Sequence, residues 1–363
     1  MNFRKMFLKA RYLFHILLAG KVIHKPYHCH FQVTRMCNLK CLYCRVWRED
    51  SHGQKELTID EIKILSENLK KVGVKSIVIT GGEPLLRGDL IEIINIFSRQ
   101  GFIVRLQTNG YLLNETFLEQ AFSGGLDDIY ISLDSLRPDV FLKINGIQSE
   151  VIFRRIVENI KIAAKLARKY NAGVFLTTVL QPANIEEVED LVDFADKNNC
   201  LIGFYGLEAG SDKDINDIRA YGRGLIPDEE QRQKLKQAFI KLKELKKRRG
   251  TPIFSSYRLL DDYIQFYGSK NQDMKWDCNA GAYYLEILPD GKICICNATP
   301  SIKGFDYMNL CNLYNSPDKN QIFAEYRKKC SGCICTRQLE YLVEDFSDVA
   351  NKTIMYLRTT LKG

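Results

Sequence analysis

The chain has 363 residues, 45% of them hydrophobic and 26% charged, with 12 cysteines and a formal net charge of +8. That balance excludes disorder, collagen and coiled-coil classes, and it suffices for one barrel-sized domain plus a smaller one. The cysteines are grouped rather than spread, which points to metal ligands in a reducing cytosol instead of disulfide staples.

In chain order, the first 20 residues place Phe3, Met6, Phe7, Ala10, Leu13, Phe14, Leu17 and Leu18 on one helical face. Arg4, Lys5, Lys9 and Arg11 fall largely on the other. The uncharged runs here are shorter than the ~20 residues of a membrane span. Such a helix either lies on a membrane surface or docks on the rest of the protein. The basic excess continues through Lys21, Lys25, Arg35, Lys40, Arg45 and Arg48 with no acidic residue, and returns in "KLKELKKRRG" at 241–250. Charge of this kind describes a surface or a solvated face, and no nucleic-acid partner is expected from it.

Beyond residue 28, apolar strands alternate with amphipathic helices. Strands are predicted near 29–36, 75–80, 102–107, 127–133, 173–179 and 200–207. Helices are predicted near 58–72, 89–100, 114–123, 150–170, 184–198 and 226–248. Runs such as "KSIVIT" and "DDIYISL" are β-rich, continuous and bounded by turn residues, as in a parallel sheet buried on both faces. The alternation predicts βα units closing into an α/β fold, a partial (β/α)6 TIM-like barrel. "YYLEILPDGKICIC", 283–296, reads as a hairpin around Pro-Asp-Gly. The tail after Leu339 repeats apolar residues at helical spacing, with acids leading and bases following. The boundaries read as a basic helix at 1–28, a core at 29–225, connecting helices at 226–275, a small cysteine-rich hairpin/helix domain at 276–340 and a C-terminal helix at 341–363.

"MCNLKCLYCRVW", 36–47, carries Cys37, Cys41 and Cys44 just after the first strand, where barrel active sites form. Thiolates select zinc, Cu(I) or iron–sulfur clusters. A closed structural zinc site wants four ligands. Three cysteines on a 4Fe–4S cluster would leave one iron open to a small molecule. Further on, "TGGEPLL", 80–86, also follows a strand. Gly81 and Gly82 permit close backbone approach to a ligand, and Glu83 can pair with an ammonium.

With these two motifs one βα unit apart, the chain resembles the radical S-adenosylmethionine superfamily over roughly 29–210. The resemblance implies a catalytic 4Fe–4S cluster on Cys37, Cys41 and Cys44, and S-adenosylmethionine whose methionine amine meets Glu83. "QTNG", 107–110, and "SLDS", 132–135, look like the family's ribose- and carboxylate-contacting segments. Thr108, Asn109 and Ser132 are carried over on that basis, and Tyr43 is placed beside the adenine. Each of these residues would otherwise be an ordinary turn or helix cap.

Cys278, Gly291, Cys296, Cys330 and Cys333 resemble the auxiliary-cluster extension called SPASM, or its shorter Twitch form. No cysteine follows Cys335, so the resemblance implies one second, auxiliary 4Fe–4S cluster on Cys278, Cys296, Cys330 and Cys333. Cys335 rivals Cys333, and Cys294 rivals Cys296. A zinc knuckle would use the same four residues. Cys29, Cys200 and Cys311 read as small buried hydrophobes. The five histidines, at 15, 24, 28, 30 and 52, show no metal-ligand pattern.

The family's chemistry implies a flavodoxin- or ferredoxin-like electron donor, a 5′-deoxyadenosyl radical and hydrogen abstraction from a substrate. Candidate substrates are a lipid, a ribosomal peptide or a small polar alcohol; an iron–sulfur scaffold or sensor is the non-enzyme alternative. The location expected is the cytoplasm, with the inner face of the membrane added if the N-terminal helix binds there.

Overall fold

A computed structural model describes residues 26–48, 55–207, 227–248, 251–269, 278, 280–296 and 299–328. The expected N-terminal and C-terminal helices, together with Cys330, Cys333 and Cys335, lie outside the described residues.

Six strands form the framework: β1 (His28–Thr34), β2 (Ser76–Gly81), β3 (Ile103–Thr108), β4 (Leu126–Ser132), β5 (Gly173–Leu180) and β6 (Leu201–Gly206). Each pairs in parallel with its sequence neighbour, in the order β6-β5-β4-β3-β2-β1. Their bounds fall within one residue of the sequence expectation, apart from the C-terminal end of β1, which stops two residues early. Continuous apolar runs between turn residues leave little freedom over where a doubly covered strand starts and stops.

The helices between them are α1 (Ile59–Val72), α2 (Leu90–Arg99), α3 (Glu115–Ser123), α4 (Pro138–Asn145), α5 (Glu150–Tyr170) and α6 (Val188–Lys197). Two more, α7 (Glu229–Lys247) and α8 (Tyr257–Gly268), follow β6. Local signals fix their ends. Thr58 and Glu61 form a reciprocal capping box on α1, which stops at left-handed Gly73. Asp228 and Gln231 do the same for α7. The sequence pattern passed over α4: eight residues make barely two turns, too few for a periodic signal.

One face of each strand packs beneath the helices, with Phe31 against Phe97 of α2 at a ring separation of 6.1 Å. The other face points into the barrel. There Arg105 of β3 pairs with Asp128 of β4 at 3.2 Å and donates to Ser76 Oγ of β2 at 3.0 Å. This buried pair is locked by a further hydrogen bond, as a charge removed from water requires.

The hairpin expected at 283–296 forms as β7 (Tyr284–Ile287) and β8 (Ile293–Cys294). Its placement is not apparent from sequence: β7 pairs in parallel with β1 and extends the barrel sheet. Two short helices follow, α9 (Leu310–Asn315) and α10 (Lys319–Lys328). Asn68 of α1 donates to the Tyr307 carbonyl at 2.9 Å, and Leu57 N–H donates to the Pro289 carbonyl at 2.8 Å. The region after the hairpin is therefore stitched to the first βα unit. It also covers the β1 edge, which would otherwise present unpaired backbone groups.

Candidate functional site

The loop after β1 carries Cys37, Cys41 and Cys44 and is held almost wholly through its backbone. Lys40 N–H donates to the Asn145 carbonyl at 3.2 Å, and Leu42 N–H to the Ile144 carbonyl at 2.9 Å. The end of α4 thus forms one wall of the loop. Gly146 sits there in a left-handed conformation, and a Cβ on it would lie 2.2 Å from the Lys40 carbonyl oxygen. Trp47 Nε1 donates to the Cys41 carbonyl at 3.0 Å. Arg48 donates to the Leu42 and Cys44 carbonyls at 3.1 and 2.6 Å while its guanidinium stacks 4.4 Å over Trp47. None of Asn145, Gly146, Trp47 and Arg48 was singled out from sequence. Only the Trp47–Arg48 pair, adjacent to the triplet, left a signal that could have been noticed.

The three thiols are half-buried. Burial pushes Cys37 up to about 11. Cys41 is raised first by burial and then by Asp134 and the other two thiols, so the three lie within electrostatic reach of one another. Cys44 is raised by burial against neighbouring backbone donors. Cys41 Sγ donates to Asn145 Oδ1 at 3.1 Å. A soft metal cluster would displace these protons as it binds.

The Gly-Gly-Glu-Pro segment lies against this loop. Gly82 N–H donates to the Thr34 carbonyl and Glu83 N–H to the Met36 carbonyl, both at 2.8 Å. A Cβ on Gly81 would sit 2.2 Å from the Thr34 oxygen, and one on Gly82 2.2 Å from the Met36 oxygen. These glycines therefore permit close backbone approach to the end of β1 and the start of the cysteine loop.

The Glu83 side chain is fully buried. It accepts from Thr108 Oγ1 at 2.7 Å, Asn109 N–H at 2.8 Å and Leu85 N–H at 3.1 Å. Burial pushes its carboxyl up to about 7 despite these donors. Thr108 also accepts from Gly110 N–H at 3.0 Å. Its hydroxyl thus links Glu83 to the Gly110 turn. Asn109 reaches back to the cysteine loop, donating to Asn38 Oδ1 at 2.7 Å. Ser132, the last residue of β4, is half-buried, and its hydroxyl has no partner among the described residues. Tyr43 donates to Asp134 Oδ2 at 2.8 Å. Its ring edge is thereby tied to the end of β4, leaving only its faces for a planar ligand. Asp134, missed from sequence, is 1% exposed, and burial raises its carboxyl to about 6.

Two buried donors complete the picture. Asn38 Nδ2 in the loop and Gln181 Nε2 just after β5 have no partner among the described residues. An iron–sulfur cluster fits the grouped thiols, and a ligand rich in acceptors fits these two orphan amides and Ser132.

In the hairpin, Cys278 is half-buried, whereas Cys294 and Cys296 are 3% and 7% exposed. Cys294 lies opposite Glu286 in the sheet register, and burial with that carboxylate pushes its thiol up to about 12. Cys296 lies past the end of β8, and its N–H donates to Thr299 Oγ1 at 3.3 Å. Cys29 and Cys200 are buried among apolar side chains, as expected.

Residues 31–195 match the family model described as "Radical SAM superfamily". A "Probable GTP 3′,8-cyclase" of Methanocaldococcus jannaschii is 36% identical over 163 residues, 45% of this chain and 52% of that protein. Its counterpart from Thermococcus kodakarensis is 30% identical over 204 residues, 56% of this chain and 64% of that protein. The chain thus spans between about half and two thirds of the length of these curated relatives. Among solved structures, Streptococcus suis SuiB bound to S-adenosylmethionine superposes with a TM-score of 0.62 at 18% identity, covering 86% of this chain and 71% of that one. The structure of anSMEcpe with bound AdoMet gives 0.60 at 17% identity, covering 93% and 97%. At these identities the structural matches establish the shared fold.

Proposed function

We propose that this chain, whose residues 31–195 match the radical SAM superfamily model, reductively cleaves S-adenosylmethionine and abstracts hydrogen from a bound substrate. The observation that carries this reading is the hydrogen-bonded union of the three-cysteine loop with the Gly81–Gly82–Glu83 segment at the C-terminal ends of β1 and β2. When bound, a 4Fe–4S cluster and S-adenosylmethionine would supply a 5′-deoxyadenosyl radical. Cys37, Cys41 and Cys44 would hold the cluster. Asn38, Ser132 and Gln181 offer hydrogen bonds to the cofactor, with the Tyr43 face beside it. Glu83 holds the loop and retains a lone pair for an ammonium. A flavodoxin- or ferredoxin-like protein would deliver the electron, and Cys278, Cys296, Cys330 and Cys333 would hold the auxiliary cluster. Anaerobic reconstitution followed by 5′-deoxyadenosine assay with dithionite tests the reading; no deoxyadenosine from iron-loaded protein would overturn it.

A second reading, cyclisation of a purine nucleotide, is favoured by the names of the curated relatives. GTP consumption in the same assay tests it.

Glu83→Gln is expected to keep iron while weakening S-adenosylmethionine binding by roughly 1.5–3 kcal/mol, the worth of a hydrogen bond to a charged group. Because the Glu83 carboxyl sits at about 7, its ionised fraction grows as pH rises through neutrality. Cofactor affinity should therefore tighten from about pH 6 to about pH 8 in the parent and stay flat in the variant. Equal profiles by isothermal titration would remove Glu83 from the cofactor site.

Among the described residues no helix is long and apolar enough to cross a membrane. Peripheral attachment through residues 1–28 is proposed from their basic, amphipathic pattern. Full-length protein should float with anionic vesicles at low salt, since each basic side chain near such a surface contributes about 1 kcal/mol. Deleting residues 2–20 should abolish flotation; a full-length protein that stays in the pellet would end the idea.

A further inference from the structure

The barrel changes character at one level. In all six strands the first four residues are buried and the fifth is half-exposed. The fourth residues, Phe31, Ile79, Leu106, Ile129, Leu176 and Phe204, are fully buried in the core beneath the helices. Side chains alternate along a strand, so the fifth residues face the barrel interior. They are Gln32, Thr80, Gln107, Tyr130, Thr177 and Tyr205. Below them the interior is solid; at their level solvent enters. They form the floor of a chamber beneath the strand ends that carry the proposed cofactor site.

Every member of this ring can hydrogen-bond, and none is charged or aliphatic. The charges beneath are satisfied within the chain: Arg105 by Asp128, and Glu286 by Gln32 and Tyr284. Gln32 donates its Nε2 to Glu286, which leaves its Oε1 as an acceptor. Gln107 accepts from Thr80 Oγ1 at 3.4 Å through its Oε1, which leaves Nε2 as a donor. Neither remaining atom has a partner among the described residues. An acceptor on β1 and a donor on β3 thus flank Thr80 on β2. Across the chamber, Tyr130 stacks on Phe175 with ring centroids 4.6 Å apart.

We propose that this chamber is the substrate site and that it takes an uncharged planar N–H/C=O group, an amide or the lactam edge of a nucleobase. Gln32 Oε1 receives the substrate N–H and Gln107 Nε2 donates to its C=O. A hydrocarbon chain is rejected, because it would leave these amides buried without partners. The inference rests on the radical SAM reading, which places chemistry at the chamber mouth.

The test is saturation-transfer NMR on the reconstituted full-length protein with saturating S-adenosylmethionine. The probes are guanosine (lactam), N-acetylglycine methylamide (amide) and hexanol. At least one of the first two should bind, and hexanol should not. Gln107→Leu should weaken that binding about tenfold, as loss of a hydrogen bond to a buried partner allows. Gln107→Glu, which keeps the shape and swaps donor for acceptor, should do the same, separating recognition from misfolding. Guanosine or the amide binding alone identifies the source of the group. Binding of hexanol as strong as either, no binding of either planar probe, displacement by S-adenosylmethionine, or indifference to Gln107→Glu would overturn the proposal. Deoxyadenosine is assayed on the same sample. Its formation without probe binding sinks the chamber alone; its absence from iron-loaded protein sinks the premise.

Discussion

A variant with Cys37, Cys41 and Cys44 all changed to alanine is expected to form no 5′-deoxyadenosine and to fall from about eight to about four iron atoms per chain, the difference being one cubane. The loop should survive the change. Its hold on α4 runs through the backbones of Lys40 and Leu42, and its outer wrap runs from Trp47 and Arg48 to carbonyl oxygens. With the thiols go the Cys41–Asn145 contact and the contacts of the Cys37 and Cys44 sulfurs with nearby backbone N–H groups, all local to the loop or its α4 wall. Iron content and deoxyadenosine should therefore drop without a matching loss of melting temperature. Full retention of iron would show that these cysteines hold no cluster. A fall to zero would show that the auxiliary site does not load, and Cys296→Ala then becomes the informative partner variant.

Gly82→Ala should be among the most damaging single methyls in the chain's first half. The added Cβ would stand 2.2 Å from the Met36 carbonyl oxygen and 2.6 Å from that of Arg35. Both are backbone atoms, so no rotamer change relieves the clash. The two segments must separate, breaking the Gly82–Thr34 and Glu83–Met36 hydrogen bonds. Strain of this kind belongs to the rare substitutions costing on the order of 4 kcal/mol or more. Because the displaced segment is the entrance to the cysteine loop, iron loading should fail along with stability. Gly88→Ala is the control: its Cβ would meet nothing within 4 Å. Denaturant unfolding and iron assay of both variants decide the matter. Equal stability would mean that the union of the two motifs is looser than the structure shows.

Much of the barrel could be read directly from the residues. A strand covered on both faces must be apolar along its whole length, and "KSIVIT" or "DDIYISL" can hardly be anything else. The helices announced their ends through local chemistry, as with Thr58 and Glu61 on α1. Cys37, Cys41 and Cys44 could be read because soft ligands at close spacing have few other uses. What stayed hidden were partners distant in sequence. Asn145 and Gly146 belong to a helix too short for a periodic signal, yet they wall the cysteine loop 104 residues upstream. Asp134 is an ordinary acidic residue until the fold buries it against Tyr43.

Local pattern, then, determined this protein's strands, most of its helices and the grouping of its three candidate cluster ligands, because each depends on residues near one another in the chain. Only tertiary structure decided that Glu83 and Thr108 brace each other, that Gly81 and Gly82 pack against the Thr34 and Met36 backbone, and that β7 joins β1. The same holds for Gln32, Thr80 and Gln107, to which sequence alone assigned no role and which meet because parallel pairing aligns β1, β2 and β3. Side-chain periodicity says which face a residue takes, but the register between distant strands, set by packing of the whole sheet, says what it faces.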